Sequence, residues 1–168
     1  MAAKADLLTL VFLTLLGLAV FTDLRWRSLP NWLTGGGIVF ALVWHMGAGG
    51  YEGVMASLKG LALGILLLLL PFLLGGMGAG DVKLLGMVGA FGGPLLAWRA
   101  FLAAALIGGA AALLYLMAEG QLRSTLRRMA SGLMVNLAAA GQEDFPVFFP
   151  YGLAIALGST AAWFWGWW

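Results

Sequence analysis

Two of the seven acidic residues stand where an ionised side chain is unfavourable. Asp23 closes a long apolar run in FTDLRWRSLPN, and Asp81 opens another in GGMGAGDVKLL. A carboxylate at the edge of hydrocarbon persists where it faces a polar cavity or a partner, so two at one depth form a candidate site. Such a pair suits hydrolysis of an amide. The ionised member takes a proton from water while the other, still protonated, supports the substrate carbonyl. Gly75, Gly76, Gly78 and Gly80 strip side chains from the backbone just before Asp81, where the chain can leave helical φ/ψ and admit an extended peptide. Plainer roles fit the same two residues: Asp81 as a helix N-cap, and Asp23 as a partner of Arg25 or Arg27. The glycine run has neither the G-x-G-x-x-G spacing of a dinucleotide site nor the Gly-Lys-Ser/Thr of a phosphate loop. The other acids, Asp6, Glu52, Glu119, Glu143 and Asp144, fall in the terminus or in connections, where water solvates them.

Other chemistries are closed off by composition. The chain has no cysteine and one histidine, which excludes disulfides, thiol nucleophiles, thiolate zinc sites and multi-histidine metal centres. No metal and no cofactor are expected. Of 168 residues, 62% are hydrophobic and 10% charged, far from the roughly one-quarter charged content of a soluble domain. The expectation is an all-α, polytopic membrane protein forming a single domain over residues 1–168. The nine basic residues are scattered rather than gathered into a stripe, so nucleic acid is not an expected partner.

The elements that must position the aspartates follow from the apolar runs. Candidate spans cover residues 7–22, 32–46, 57–74, 82–91, 100–118 and 151–168. LALGILLLLLPFLL is apolar on every side, unlike the alternating strands of a membrane barrel. Pro71 suggests a kink in the third span. With the N-terminus outside, Arg25, Arg27, Lys83, Arg123, Arg127 and Arg128 fall on the inner side and Lys4, Lys59 and Arg99 on the outer. That split favours six transmembrane helices, N-out and C-out. Asp23 and Asp81 then share the cytoplasmic depth. Lys4 and the first apolar run do not read as a signal peptide, because no small-residue cleavage pattern follows. Residues 121–140 place Leu122, Leu126, Met129, Leu133 and Leu137 on one arc and the arginines on the rest. They are expected to form an interfacial amphipathic helix between spans five and six. Gly60 with Gly64, and Gly89 with Gly93, have the spacing that lets helices approach closely. All eight tryptophans fall near span ends, as interfacial aromatics do. His45 belongs at the outer interface, away from the aspartates.

Three motifs at matching span ends carry a resemblance. D-x5-L-P-N at Asp23 to Asn31, G-x-G-D-x-K-L-L at Gly78 to Leu85, and F-P-Y-G-x-A-I at Phe149 to Ile155 together resemble the type IV prepilin peptidases, membrane aspartyl proteases of the G-x-G-D class. Leu29 stands where isoleucine or valine is common in that family. In length the chain is similar to small members serving Flp/Tad-type pili. The resemblance implies that Asp23 and Asp81 are the catalytic pair of a hydrolase that removes a short basic leader from prepilins. It further implies cleavage at the cytoplasmic face of the bacterial inner membrane, with a membrane-inserted precursor and the lipid bilayer as partners. Larger members also methylate the new N-terminus and carry a Cys-x-x-Cys insert; without it, N-methylation is not expected.

Around the pair, Gly78, Gly80, Lys83, Pro150, Tyr151 and Gly152 are the candidates for substrate contact. Lys83 lies about 200° around a helix from Asp81 and suits snorkelling to the inner interface, with a substrate or structural role open. Pro30 and Asn31 are expected to start the second helix, with Asn31 as a possible cap, and a plain turn also accounts for Pro150 to Gly152. The alternatives to a peptidase are a small proton- or cation-coupled conduit and a noncatalytic pilus-assembly scaffold. A conduit should spread acids over several depths, and here both candidates share one.

Overall fold

A computed structural model describes residues 2–26, 28–74, 77–118, 120 and 151–165. The interfacial helix expected over residues 121–140, together with Gly75, Gly76 and Pro150, lies outside the described residues. The described elements are all helices: α1 (Ala2–Trp26), α2 (Asn31–Leu73), α3 (Ala79–Ala118) and α4 (Tyr151–Trp165). Among the described residues, three helical stretches are long and apolar enough to cross a membrane, Leu7–Trp26, Asn31–Leu73 and Ala79–Ala111. The chain is an all-α membrane protein.

Straight, the 43 residues of α2 would reach about 65 Å, twice the thickness of the hydrocarbon core. They do not run straight. Gly50 (φ 57°, ψ −140°) interrupts α2, and Gly93 (φ 74°, ψ −172°) interrupts α3 just before Pro94. Both lie in the positive-φ region that glycine alone enters without strain. The packing shows what these breaks accomplish. Residues 51–73 run antiparallel to residues 79–92, with Gly60 against Gly89 and Gly64 against Leu85 and Gly86. Residues 31–49 run parallel to 79–92, with Asn31 bonded to Lys83, Gly37 against Met87 and Phe40 stacked on Phe91. The chain therefore reverses at Gly50. In the second half of α3, Gly108 meets Tyr151 and Ala154 while Ala104 meets Gly158, so residues 94–118 oppose α4. The chain reverses again at Gly93. Six helical stretches of alternating direction result among the described residues. The break in α2 is at Gly50, and the helix continues through Pro71 to Leu73.

Breaking α3 orphans carbonyls that two α2 side chains recover. Pro94 has no N–H to give the Ala90 carbonyl, and Ser57 Oγ donates to that oxygen at 2.7 Å. One residue on, His45 Nε2 sits 2.9 Å from the Phe91 carbonyl. That bond requires the proton on Nε2, because a carbonyl only accepts. His45 is thus a half-buried tie between α2 and α3, at the end of the bundle away from the aspartates. We predict that His45→Ala lowers stability by about 1–3 kcal/mol, the cost of leaving a buried carbonyl unmet. Thermal unfolding in detergent reads it, and an unchanged midpoint would count against the tie.

Residues 79–92 occupy the centre. Leu84, Leu85, Met87, Val88, Ala90 and Phe91 are all buried, as expected for a stretch that is apolar all round and enclosed by other helices. One level of the bundle is held by rings. Phe12 stacks on Trp163 with centroids 4.6 Å apart and tilts against Phe91 at 5.2 Å, while Trp163 Nε1 donates to Thr9 Oγ1 at 3.3 Å. Trp163 is therefore a core residue, against the expectation that every tryptophan is interfacial. Its ring stacks on Phe12 and its indole N–H bonds Thr9, specific contacts that lipid tails do not offer.

Candidate active site

The aromatic level sets the depth of the aspartates. Phe12 precedes Asp23 by eleven residues, Phe91 follows Asp81 by ten, and Trp163 follows Gly152 by eleven. At 1.5 Å per residue each pair is separated by about 15–17 Å along its helix. Since the rings meet at one end of these stretches, Asp23, Asp81 and Gly152 are brought level at the other.

Side-chain contacts agree. Asp23 lies in the last turn of α1, half-buried, next to a buried Thr22 whose hydroxyl donates to the Ala19 carbonyl at 3.0 Å. Asp81 is the third residue of α3, inside the first turn rather than at the N-cap position. Its N–H donates to the Gly78 carbonyl at 3.1 Å, and the Gly78 N–H in turn donates to its carboxyl. The two carboxyls are close enough for the charge on Asp23 to act on Asp81. Asp81 is not the N-cap residue, although its carboxyl takes up the Gly78 N–H at the start of α3; no ion pair joins Asp23 to Arg25 among the described residues, and Arg27 lies outside them.

Residues before α2, at the start of α3 and at the start of α4 surround the pair. Leu29 packs against Gly80, where an added Cβ would lie 3.1 Å from the Leu29 side chain. Lys83 Nζ donates to Asn31 Oδ1 at 2.8 Å. The N-cap of α2 is Pro30, whose carbonyl accepts from the Leu33 N–H at 3.1 Å, so Asn31 is the first helical residue and its amide is spent on Lys83 instead of on a cap. Lys83 is correspondingly tied to the L-P-N turn rather than simply snorkelling. Gly152, buried at the start of α4, faces Asp23 directly: a Cβ there would sit 2.5 Å from Oδ2 and 3.0 Å from Cγ. Tyr151 lies beside it, and Pro150 is outside the described residues. Gly78 is open, with nothing nearer than the Asp81 carboxyl at 3.6 Å.

With this geometry in view, the chain matches the type IV leader peptidase family over residues 10–113, more than half its length. It belongs to that family. The matched stretch contains both aspartate motifs of this leader peptidase relative, while Tyr151 and Gly152 lie beyond it. No curated protein and no solved structure matches the chain.

Gly152 yields a sharp test of the arrangement. Gly152→Ala places a methyl group against the Asp23 carboxyl, which is a movable side-chain end, so the fold should survive while the carboxyl shifts. A displacement of about 1 Å at a reacting group costs on the order of 10²-fold in rate. Cleavage assays should show that loss with an unchanged melting temperature, and full activity would remove Gly152 from the site.

Proposed function

We propose that this chain is a membrane-embedded aspartyl endopeptidase that removes the short basic leader from type IV (Flp/Tad-like) prepilins at the cytoplasmic face of the inner membrane. The observation that carries the proposal is that Asp23 and Asp81 lie at one level within electrostatic reach of each other, with Gly152 against Asp23, in a chain of the leader peptidase family. Six spans, N-out and C-out, accompany it. What supports it is the sequence: with the aspartates on the inner side, Arg25, Arg27, Lys83, Arg123, Arg127 and Arg128 fall in inner segments and Lys4, Lys59 and Arg99 in outer ones, the inner excess expected of a membrane protein.

In the proposed reaction, one ionised carboxylate takes a proton from water as the water oxygen bonds to the scissile carbonyl carbon. The proton on the second carboxyl supports the developing oxyanion. The tetrahedral intermediate collapses as the C–N bond breaks and the proton held by the base passes to the leaving amine. A pilin helix already uses its carbonyls internally, so the cut bond must lie in the extended junction between leader and helix. The open backbone at Gly78 and Gly80 offers room for that segment.

Co-expression with a candidate prepilin, followed by intact-mass measurement of the product, tests this reading. A product shortened by its leader, with no added methyl mass, is expected. An unprocessed precursor across candidate prepilins, with the peptidase folded in the membrane, would point instead to a conduit or scaffold.

A further inference from the structure

Asp23 and Asp81 sit on different helices, and α1 makes little direct contact with α3. α1 is anchored at the far end, where Phe12 stacks on Trp163 and meets Phe91, and at mid-depth, where Leu15 approaches Gly37. Its last turn is held less. Phe21, Leu24, Arg25 and Trp26 are exposed, and Gly152 is the neighbour that meets Asp23. Asp23 stands about 16 Å along the helix from the aromatic anchor, so a tilt of about 4° moves its carboxyl by about 1 Å. The connection to α2 supplies a second hold. Asn31, the first residue of α2, follows Trp26 so closely that the end of α1 goes wherever the start of α2 is fixed. That start is fixed on α3 twice: Leu29 packs on Gly80, and Lys83 Nζ donates to Asn31 Oδ1 at 2.8 Å. Gly80 and Lys83 flank Asp81 in the chain.

We propose that Lys83 is a positioning residue: through Asn31 it clasps the connection between α1 and α2 onto α3, and so sets Asp23 at its working distance from Asp81. The inference rests on the peptidase reading of the two aspartates. Lys83 lies about 200° around the helix from Asp81 and directs its ammonium to an amide oxygen of the connection, away from the reacting carbonyl. Asn31 has no competing duty, because Pro30 is the N-cap of α2 and no side chain caps that helix. An ammonium suits the task, since a hydrogen bond from a charged donor outlasts a neutral one where both side chains are exposed and water competes. Without the bond, the last turn of α1 relies on Leu29 and Gly152 alone. A shift of about 1 Å at a reacting group costs on the order of 10²-fold in rate, while precursor binding does not depend on the spacing of the carboxyls.

Two measurements test the clasp, and the first needs no cleavage. Asp23→Cys and Asp81→Cys are combined in the full-length chain in membrane vesicles, and the rate at which a short bifunctional thiol reagent joins them is compared with and without Lys83→Met. Methionine keeps the apolar stem and removes the donor. Joining should slow at least about threefold; an unchanged rate overturns the clasp, whatever the chain does to a substrate. In the second, cleavage of a leader-bearing precursor is followed for Lys83→Met, Asn31→Leu and the two combined. Each single variant should lose at least about 10-fold in maximal rate, with the half-saturating precursor concentration held within about twofold. The combination should be within about twofold of the slower single variant, because both changes break one bond. Lys83→Arg, which still donates to Asn31, should stay within about threefold of wild type. Losses that multiply in the combination, or a loss confined to the half-saturating concentration, would make Lys83 a direct substrate contact and overturn the proposal. Undiminished cleavage by Asp81→Asn would instead refute the peptidase reading and leave the thiol result standing.

Discussion

Asparagine at either Asp23 or Asp81 should lower prepilin cleavage by about 10³-fold or more, with the protein still folded in the membrane. General acid–base groups acting in the transition state typically contribute 10²- to 10⁴-fold, and members of one catalytic unit fail together rather than additively. Asparagine keeps the size and much of the hydrogen-bonding capacity of aspartate. The Gly78 N–H still finds an acceptor in an amide oxygen at position 81, so packing at the start of α3 is preserved. What disappears is the ability to take up and release a proton. The double variant should be scarcely worse than either single one, because neither carboxyl can complete the reaction alone. Single-turnover cleavage of a purified precursor reads all three rates. Residual activity within tenfold of wild type in either single variant would break the dyad.

Leucine at Gly60 should be the most damaging substitution outside the aspartates. A Cβ there would collide with the Gly89 carbonyl oxygen and the Gly93 carbon, both backbone atoms that cannot rotate away. Residues 51–73 would have to separate from residues 79–92, opening the interface that Gly64, Leu85 and Gly86 also share. Overpacking of this kind costs about 3 kcal/mol or more when the backbone must move, and close helix contact is what holds a membrane bundle together. Because residues 79–92 carry Asp81, cleavage should fall along with stability. Gly36 supplies the control, since nothing lies within 4 Å of a Cβ there. Thermal unfolding of the two leucine variants should differ by many degrees, with Gly36→Leu near wild type. Equal midpoints would show that the Gly60–Gly89 approach is dispensable.

The common level of Asp23 and Asp81 was readable from the sequence because each falls at an end of an apolar run on the same side of the bundle. Gly60, Gly64 and Gly89 were readable as a close helix contact for a similar reason, the spacing of small residues along one face. Other features depend on partners distant in the chain. Nothing local to Lys83 indicates that its amine reaches Asn31, 52 residues earlier, or that Trp163 belongs under Phe12 rather than at an interface. The reversals at Gly50 and Gly93 looked like loops of several residues between spans, yet a single positive-φ glycine makes each turn. The Gly93–Pro94 pair did carry a signal: a proline inside a helix frees the carbonyl four residues earlier, and that carbonyl needed a donor. Which donor it finds, Ser57, is a property of the packed bundle.

The absence of cysteine makes the central geometry directly measurable, because each introduced thiol is the sole reactive site. Asp23→Cys and Asp81→Cys, combined in one chain and treated with a short bifunctional thiol reagent in membrane vesicles of known orientation, should join within the molecule, and each thiol alone should react from the cytoplasmic side. Thiols that react only from opposite sides of the bilayer, and never join, would contradict a shared site.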